Sequence, residues 1–302
     1  MAEFELIHKY FSPLAGKGAG GLLDDAAILD IPQGQQLIVT SDTSNRGDHF
    51  VDALPPKEAA QKCLRSNLSD LAAMGADPFC YQLNLALPKD LEEDWLAEFA
   101  KGLAADQKEF GIFLSGGDTT AMGAGGLSVS ITALGLVPPG QAVKRGGARI
   151  GDLAVVTGPL GDACLDRFRI PYPRTAIAPL IRRYAKAAVD ISDGLPADLG
   201  HICEVSGLAA RVELEKIPFS DKVREAIQSG AKTPQDILIW GEDYELALAV
   251  APEDFESFKV AAAGQGVALA AIGIFEAGAP KVTVMDKAGK PLVFERTGWQ
   301  HF

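Results

Sequence analysis

The chain has 302 residues, 47% of them hydrophobic, enough for one large core or two ordinary ones, and its composition points neither to disorder nor to a fibrous repeat. Its 40 acidic against 28 basic residues leave a net charge of −12, so a nucleic-acid duplex or an anionic membrane would repel most of the surface. Cys63, Cys80, Cys164 and Cys203 are scattered with no CxxC, which argues against a disulfide framework or a zinc site. No apolar run approaches the roughly 18 residues of a membrane span, and the N-terminus has no basic flank before an apolar signal core; the expected compartment is cytoplasm.

In chain order, residues 3–11 read as a short helix and Gly16 to Gly21 as a glycine-rich loop leading into strands at Ala26–Ile31 and Gln36–Thr40. Pro55-Pro56 opens a helix over 57–74 that Gly75 closes. A strand at 81–87, a helix from Leu91 to about Phe110, and β-rich runs at 112–115 and 127–137 follow. Pro138-Pro139-Gly140 and Arg145-Gly146-Gly147 suit an exit from a first domain. The second half shows strands at 153–157, 187–191, 209–214, 244–250, 267–275 and 281–285, with helices at about 195–205 and 253–263. This pattern is α/β or α+β, with two similar-sized domains, 1–148 and 149–302.

Acidic residues recur at strand ends or turns beside small or hydroxyl residues: Asp24-Asp25-Ala26-Ala27, Thr40-Ser41-Asp42-Thr43, Gly116-Gly117-Asp118-Thr119, Asp190-Ile191-Ser192-Asp193-Gly194 and Gly241-Glu242-Asp243-Tyr244. Taken singly, each is explained as a turn or helix-cap residue. Asp70 is not, because it sits within an apolar helix where an unpaired carboxylate is costly; a metal or an arginine would satisfy it. Mg²⁺ takes hard oxygen ligands and keeps several waters, so one carboxylate per segment, completed by hydroxyls and substrate phosphates, suits it.

No GxxxxGK[ST] is present, and Gly16-Lys17-Gly18-Ala19-Gly20-Gly21 precedes a strand-like segment rather than a helix, which argues against both a P-loop and a dinucleotide fingerprint. The remaining route to a nucleotide runs through cations that neutralise both the triphosphate and the aspartates. Arg145, in a glycine-rich loop, is the best placed basic side chain to reach a phosphate directly; a solvated loop arginine is the equal alternative.

These segments, in this order, together with the ending Gly298-Trp299-Gln300-His301-Phe302, closely resemble the thiamine-phosphate kinases, members of the ATP-binding superfamily related to aminoimidazole ribonucleotide synthetase. The carriers include Ser41-Asp42-Thr43 with Gly47-Asp48-His49-Phe50, and Asn67 through Ala76 with Asp70 at its centre. The resemblance implies an N-terminal α/β domain whose strands pair in a homodimer, a C-terminal α/β domain, and an active site between the domains. It implies metal positions at Asp25, Thr40, Ser41, Asp42, Asp70, Asp118, Asp190 and Asp193 for several Mg²⁺ ions. It places ATP at Gly117, Asp118, Arg145 and Ser192, and thiamine phosphate at His49, Glu242 and Trp299. A cationic thiazolium suits a carboxylate and an aromatic face. The chain departs from the family pattern at Leu23, at Asn45-Arg46 and in the short segment 165–189.

The implied reaction is direct in-line transfer of the ATP γ-phosphoryl to thiamine phosphate, giving thiamine diphosphate and ADP. The acceptor is already an anion, so no general base is needed and no catalytic side chain is expected beyond positioning and metals. The rival readings are another enzyme of the superfamily (a ring-closing synthetase, a selenophosphate synthetase or a hydrogenase maturation enzyme) and a nonenzymatic acidic metal-binding protein.

Overall fold

The computed structural model describes residues 3–123 and 125–299, so Gln300, His301 and Phe302 of the terminal motif lie outside the described residues. The chain forms two compact units, one of residues up to Leu71 with Ala76–Gly140, the other of Ala72–Gly75 with the residues from Gln141 onward. The division between the units falls at the Pro138-Pro139-Gly140 turn.

The first unit opens with a single helical turn, α1 (Glu3–Leu6), that continues irregularly to Leu14. Its sheet comprises β1 (Gln36–Asn45), β2 (Asp77–Pro88), β3 (Phe113–Met122) and β4 (Ser128–Val137) in the order β1-β4-β2-β3. Only the β2–β3 pair is parallel, joined through α3 (Glu93–Phe110). The helix α2 (Pro56–Ala73) links β1 to β2 and is buried along nearly its whole length, with Leu64, Leu68 and Leu71 inaccessible to solvent. A buried ion pair fastens α3 to α2: Asp106 accepts from both Arg65 Nε (2.9 Å) and Nη2 (2.8 Å), and from Gln61 (2.8 Å).

Strand alternation divides the sheet into two faces. In β1, Thr40, Asp42 and Ser44 turn inward, while Val39, Ser41 and Thr43 are exposed, and β4 alternates likewise. The strand expected at Ala26–Ile31 does not form. Ile28 is 80% exposed, and its N–H bonds to Gly18 O instead of a neighbouring strand, so this segment folds back on the glycine-rich loop.

The second unit holds a six-stranded sheet, β10-β7-β9-β5-β8-β6, parallel only between β10 and β7. Its strands are β5 (Leu153–Thr157), β6 (Ala185–Asp190), β7 (Ala209–Glu213), β8 (Leu246–Val250), β9 (Leu269–Glu276) and β10 (Lys281–Met285). The helices are α4 (Asp162–Leu165), α5 (Ala178–Tyr184), α6 (Leu195–Ser206), α7 (Asp221–Gln228), α8 (Pro234–Leu238) and α9 (Pro252–Ala263). Two cores flank this sheet. One carries Leu195, Leu199 and Ile202 of α6; the other carries Ile181 of α5 with Phe255 and Phe258 of α9. β8 is buried at every position, which explains its unbroken apolar sequence. The helices α7 and α8 were not expected from the sequence; both are short and capped, by Ser220 and by a Thr233–Asp236 capping box.

Candidate active site

In the first unit the expected metal residues fall into two groups. Under β1, three successive inward side chains meet three positions of α2: Ser44 meets Cys63, Asp42 meets Ser66, and Thr40 donates to Asp70 at 2.5 Å. This match of a two-residue strand period to a 3.6-residue helix period brings Asp42 and Asp70 face to face. Burial, and then the Asp70 charge, push the Asp42 carboxyl up to about 6, against a hydrogen bond from Ser66. Beside them, Asn67 Oδ1 is buried without a hydrogen-bond partner. Ser41 does not join this group. It lies on the opposite face, where its hydroxyl bonds Ile131 O (3.2 Å) and Thr132 Oγ1 (3.0 Å).

The second group lines a cleft of about 520 Å³ between the glycine-rich segment and the β2–β3 edge. Asp24, Asp25, Asn84, Gly117 and Asp118 border it on the polar side, and Ile7, Phe11 and Leu114 on the apolar side. A register shift between Tyr81 and Gln82 leaves Ser115 as an extra residue in β3, anchored by its hydroxyl to Tyr81 O at 3.0 Å. Just beyond it Gly117 has φ +153°, and a Cβ there would lie 1.8 Å from Leu83 O; only glycine brings Asp118 to the cleft in this conformation. His49 stands apart from this cleft's lining, in the turn after β1. Its Nδ1 accepts from Asn45 N–H (3.2 Å), so the neutral ring carries its proton on Nε2.

In the second unit, Asp190 ends β6 in a buried position, and the loop Ile191–Gly194 leads into α6. Both sides of this loop are bonded. Its N–H groups at Ser192, Asp193 and Gly194 all donate to Asp198 Oδ2, at 3.1, 2.9 and 3.0 Å. Its carbonyls at Ile191, Ser192 and Asp193 accept from Tyr244, Glu242 and Trp299, at 2.8, 2.8 and 2.9 Å. Glu242 and Tyr244 both have left-handed backbone angles, φ +58° and +51°, and a Cβ at Gly241 would lie 2.3 Å from Ser192 O. Thus Ser192, Asp193, Glu242 and Trp299 converge on one loop. Trp299 is 43% exposed, and the Arg296 guanidinium lies over its ring, 5.9 Å from the centroid. Arg145 lies in a separate exposed strip beside β6, where Ala188 N bonds Lys144 O (3.0 Å) and Ser206 Oγ accepts from Gly147 and Ala148.

The sequence reading passed over Asp198 and the supports below the 241–245 turn. Asp243 is buried, with both oxygens accepting from Gly161 N–H at 2.9 Å, and burial pushes it up to about 7. Glu245 pairs with Arg174 through two bonds, one of them 2.7 Å, and takes the Thr157 hydroxyl at 2.6 Å. These acids hold the turn rather than face a ligand. The spacing Asp193-Gly194-x-x-x-Asp198 was the available signal, since an acid in the first turn of a helix reaches back to the N–H groups before it.

The family models match in the same two parts. Residues 23–137 match the AIR synthase related protein N-terminal domain and residues 147–285 its C-terminal domain. The thiamine-monophosphate kinase of Caulobacter vibrioides is 38% identical, over 99% of this chain and 90% of its own; that of Salmonella typhimurium is 36% identical, over 99% and 98%. This chain belongs to the thiamine-monophosphate kinase family. A solved structure of AaThiL complexed with AMPPCP and TMP superposes with TM-score 0.79 at 30% identity, covering 99% of this chain and 97% of that one. The family architecture of two α/β domains is therefore present in this chain. Among the described residues no helix is long and apolar enough to cross a membrane.

Proposed function

We propose that this member of the thiamine-monophosphate kinase family transfers the γ-phosphoryl group of ATP in line to the phosphate of thiamine phosphate, with Mg²⁺ as its metal. The observation that carries the reading is the shared loop of the second unit: Asp193 and Ser192, proposed for metal and nucleotide, are hydrogen-bonded through their backbones to Trp299 and Glu242, proposed for the acceptor. One element thereby aligns donor and acceptor, which is the main demand of phosphoryl transfer between two anions.

The donor set fits a hard divalent cation. Asp42 and Asp70 repel each other beneath β1, Asp42 is held well above the ordinary carboxylate range, and the Asn67 carbonyl oxygen beside them has no partner. Among the described residues no three His, Cys, Asp or Glu side chains converge on one point, so waters, hydroxyls and substrate phosphates complete any shell. Bound Mg²⁺ supplies charge neutralisation for the transferred group. The chain's own residues do the rest. In the first unit Asp42 and Asp70 hold cations beneath β1, and Asp25 and Asp118 do so at the cleft, where Gly117 permits the close approach to Leu83 that brings Asp118 into place. In the second unit Asp190 and Asp193 hold cations at the loop ahead of α6. Arg145 reaches a phosphate with a fork of donors. Trp299 offers a π face to the cationic acceptor, Glu242 a compensating charge, and His49 a donor at Nε2. Of the Thr40-Ser41 pair, Thr40 acts through Asp70, and Ser41 can serve that group only through its backbone carbonyl.

β1 is a ten-residue edge strand whose outer face exposes Leu37 and Val39, with Val39 60% accessible, beside partly exposed Leu134 and Leu136 of β4. An edge of that length and character pairs with another strand, and a second copy of the chain is the proposed partner in a homodimer. The testing assay is purified protein with MgATP and thiamine phosphate, product identified by chromatography and thiamine as control acceptor. Formation of thiamine diphosphate is expected, and its absence would overturn the assignment.

A further inference from the structure

We propose that Asp198 is a positioning residue for the transfer, acting through Asp193 and Ser192. The inference deepens the phosphotransfer reading and rests on it for its kinetic consequence, though not for its geometry. In an ordinary helix start, a residue before the helix turns its side chain forward onto the first free N–H groups. Here the direction is reversed. Asp198 lies inside the first turn of α6, 2% exposed, and one oxygen, Oδ2, gathers the N–H groups of the three residues that precede the helix. Its own N–H returns to Gly194 O at 3.0 Å, closing a ring between loop and helix.

The opposite edge of the loop is taken up by Tyr244, Glu242 and Trp299. The peptide groups of the loop are therefore bonded on two sides, and the side chains of Ser192 and Asp193 are what it leaves to present. Three N–H groups pointing at one carboxylate oxygen set the peptide planes of residues 192–194, and those planes set where the Asp193 carboxylate and Ser192 hydroxyl emerge. A shift of about 1 Å in such groups costs on the order of 100-fold in rate. Asp198 touches no substrate and does no chemistry itself; its role is the aim of its neighbours. Because Glu242 and Trp299 hang on the same loop, that aim also sets the donor group relative to the acceptor group.

The experiment uses the full-length protein with Asp198→Asn, Asp193→Asn and the double variant. Asparagine keeps one acceptor oxygen and the side-chain shape but replaces the carboxyl group that three donors share. We expect Asp198→Asn to melt cooperatively, with amide exchange at Ser192, Asp193 and Gly194 accelerated at least about tenfold and that of β5 and β8 unchanged. Its kcat should fall about 100-fold, with KM for ATP and for thiamine phosphate within about threefold of the parent. In the Asp193→Asn background the same change should cost less than about threefold more, because residues acting as one unit are not additive. Normal turnover of Asp198→Asn, or a loss that multiplies in full on top of Asp193→Asn, would overturn the proposal. If Asp198→Asn fails to fold, Asp198→Glu retains the carboxyl group with its oxygen displaced and must reproduce the kcat loss at unchanged KM; parent-like kcat in that variant overturns it. Should the parent form no thiamine diphosphate, the kinase reading fails and the amide exchange alone decides whether Asp198 holds the loop.

Discussion

The carboxylates beneath β1 and the loop ahead of α6 hold acidic residues by opposite means. Asp42 and Asp70 are brought together by packing and left with a Coulombic cost, Asp42 titrating near 6. Asp193 sits on a loop whose peptide N–H and C=O groups are satisfied by Asp198 on one side and by Glu242, Tyr244 and Trp299 on the other. The first arrangement stores electrostatic strain that a cation at the proposed site would relieve; the second stores geometry. Each unit also contains a buried arginine–carboxylate pair, Arg65–Asp106 and Arg174–Glu245, with good hydrogen-bond partners. Burial of an acid therefore does not mark function by itself: Asp106 and Glu245 hold structure through arginines, Asp198 and Asp243 hold it through backbone N–H groups, and Asp42 lies against the Asp70 charge.

That contrast can be broken at several points, the largest first. Asp70→Asn should lower kcat about 1,000-fold or more, as for loss of a metal ligand, while the urea midpoint without Mg²⁺ stays unchanged or rises because the repulsion on Asp42 is gone. Near-normal turnover would move Asp70 among the structural acids. Arg174→Met should do the reverse, costing about 3 kcal/mol of unfolding free energy by leaving Glu245 buried and unpaired. Urea titration followed by circular dichroism measures it, and a loss below about 1 kcal/mol would show that the pair carries little. Trp299→Ala should raise KM for thiamine phosphate about tenfold, the equivalent of a ~1.4 kcal/mol cation–π contact, with KM for ATP unchanged. Equal effects on both substrates would show that the ring shapes the loop instead of stacking on the acceptor.

The smallest effect is a pH dependence. Asp42 and Asp243 titrate near 6 and near 7 in the folded protein, above their unfolded value of 3.8. Folding thus favours their protonated forms, and the stability they contribute is fully present below the unfolded value and lost as pH rises through 6 and 7. Calorimetry without Mg²⁺ should show Tm falling between pH 5 and 8. Saturating MgATP should flatten the share belonging to Asp42 and Asp243→Asn should flatten its own with or without Mg²⁺, while the share of Asp198, which burial also pushes up to about 7, remains. A Tm that rises across this interval would reverse the assigned directions.

Part of the local structure that carries the proposed site residues was legible in the sequence, for stated reasons. The helix over α2 followed from its proline start and apolar run, and Asp70 stood out because an acid in that setting needs a partner. The separation of Ser41 from Thr40 and Asp42 was also readable, since a two-residue strand period sends neighbours to opposite faces. The strand expected at Ala26–Ile31 failed because β-forming residues need a neighbouring strand, and the edge of β3 at Leu114 is met by Ala15 and Gly16 instead. The short helices α7 and α8 gave too few turns for a period to show.

The order of motifs by itself determined the family, the two-domain plan and the identity of the acidic residues, because these depend on local residue type and spacing along one chain. Only the tertiary structure decided which acids share a site and which are posts. Asp42 meets Asp70 across 28 residues of chain and Arg174 meets Glu245 across 71. Trp299 meets Asp193 across 106. The charge state and aim of a carboxylate depend on the burial and donors around it, and those come from segments far apart in sequence.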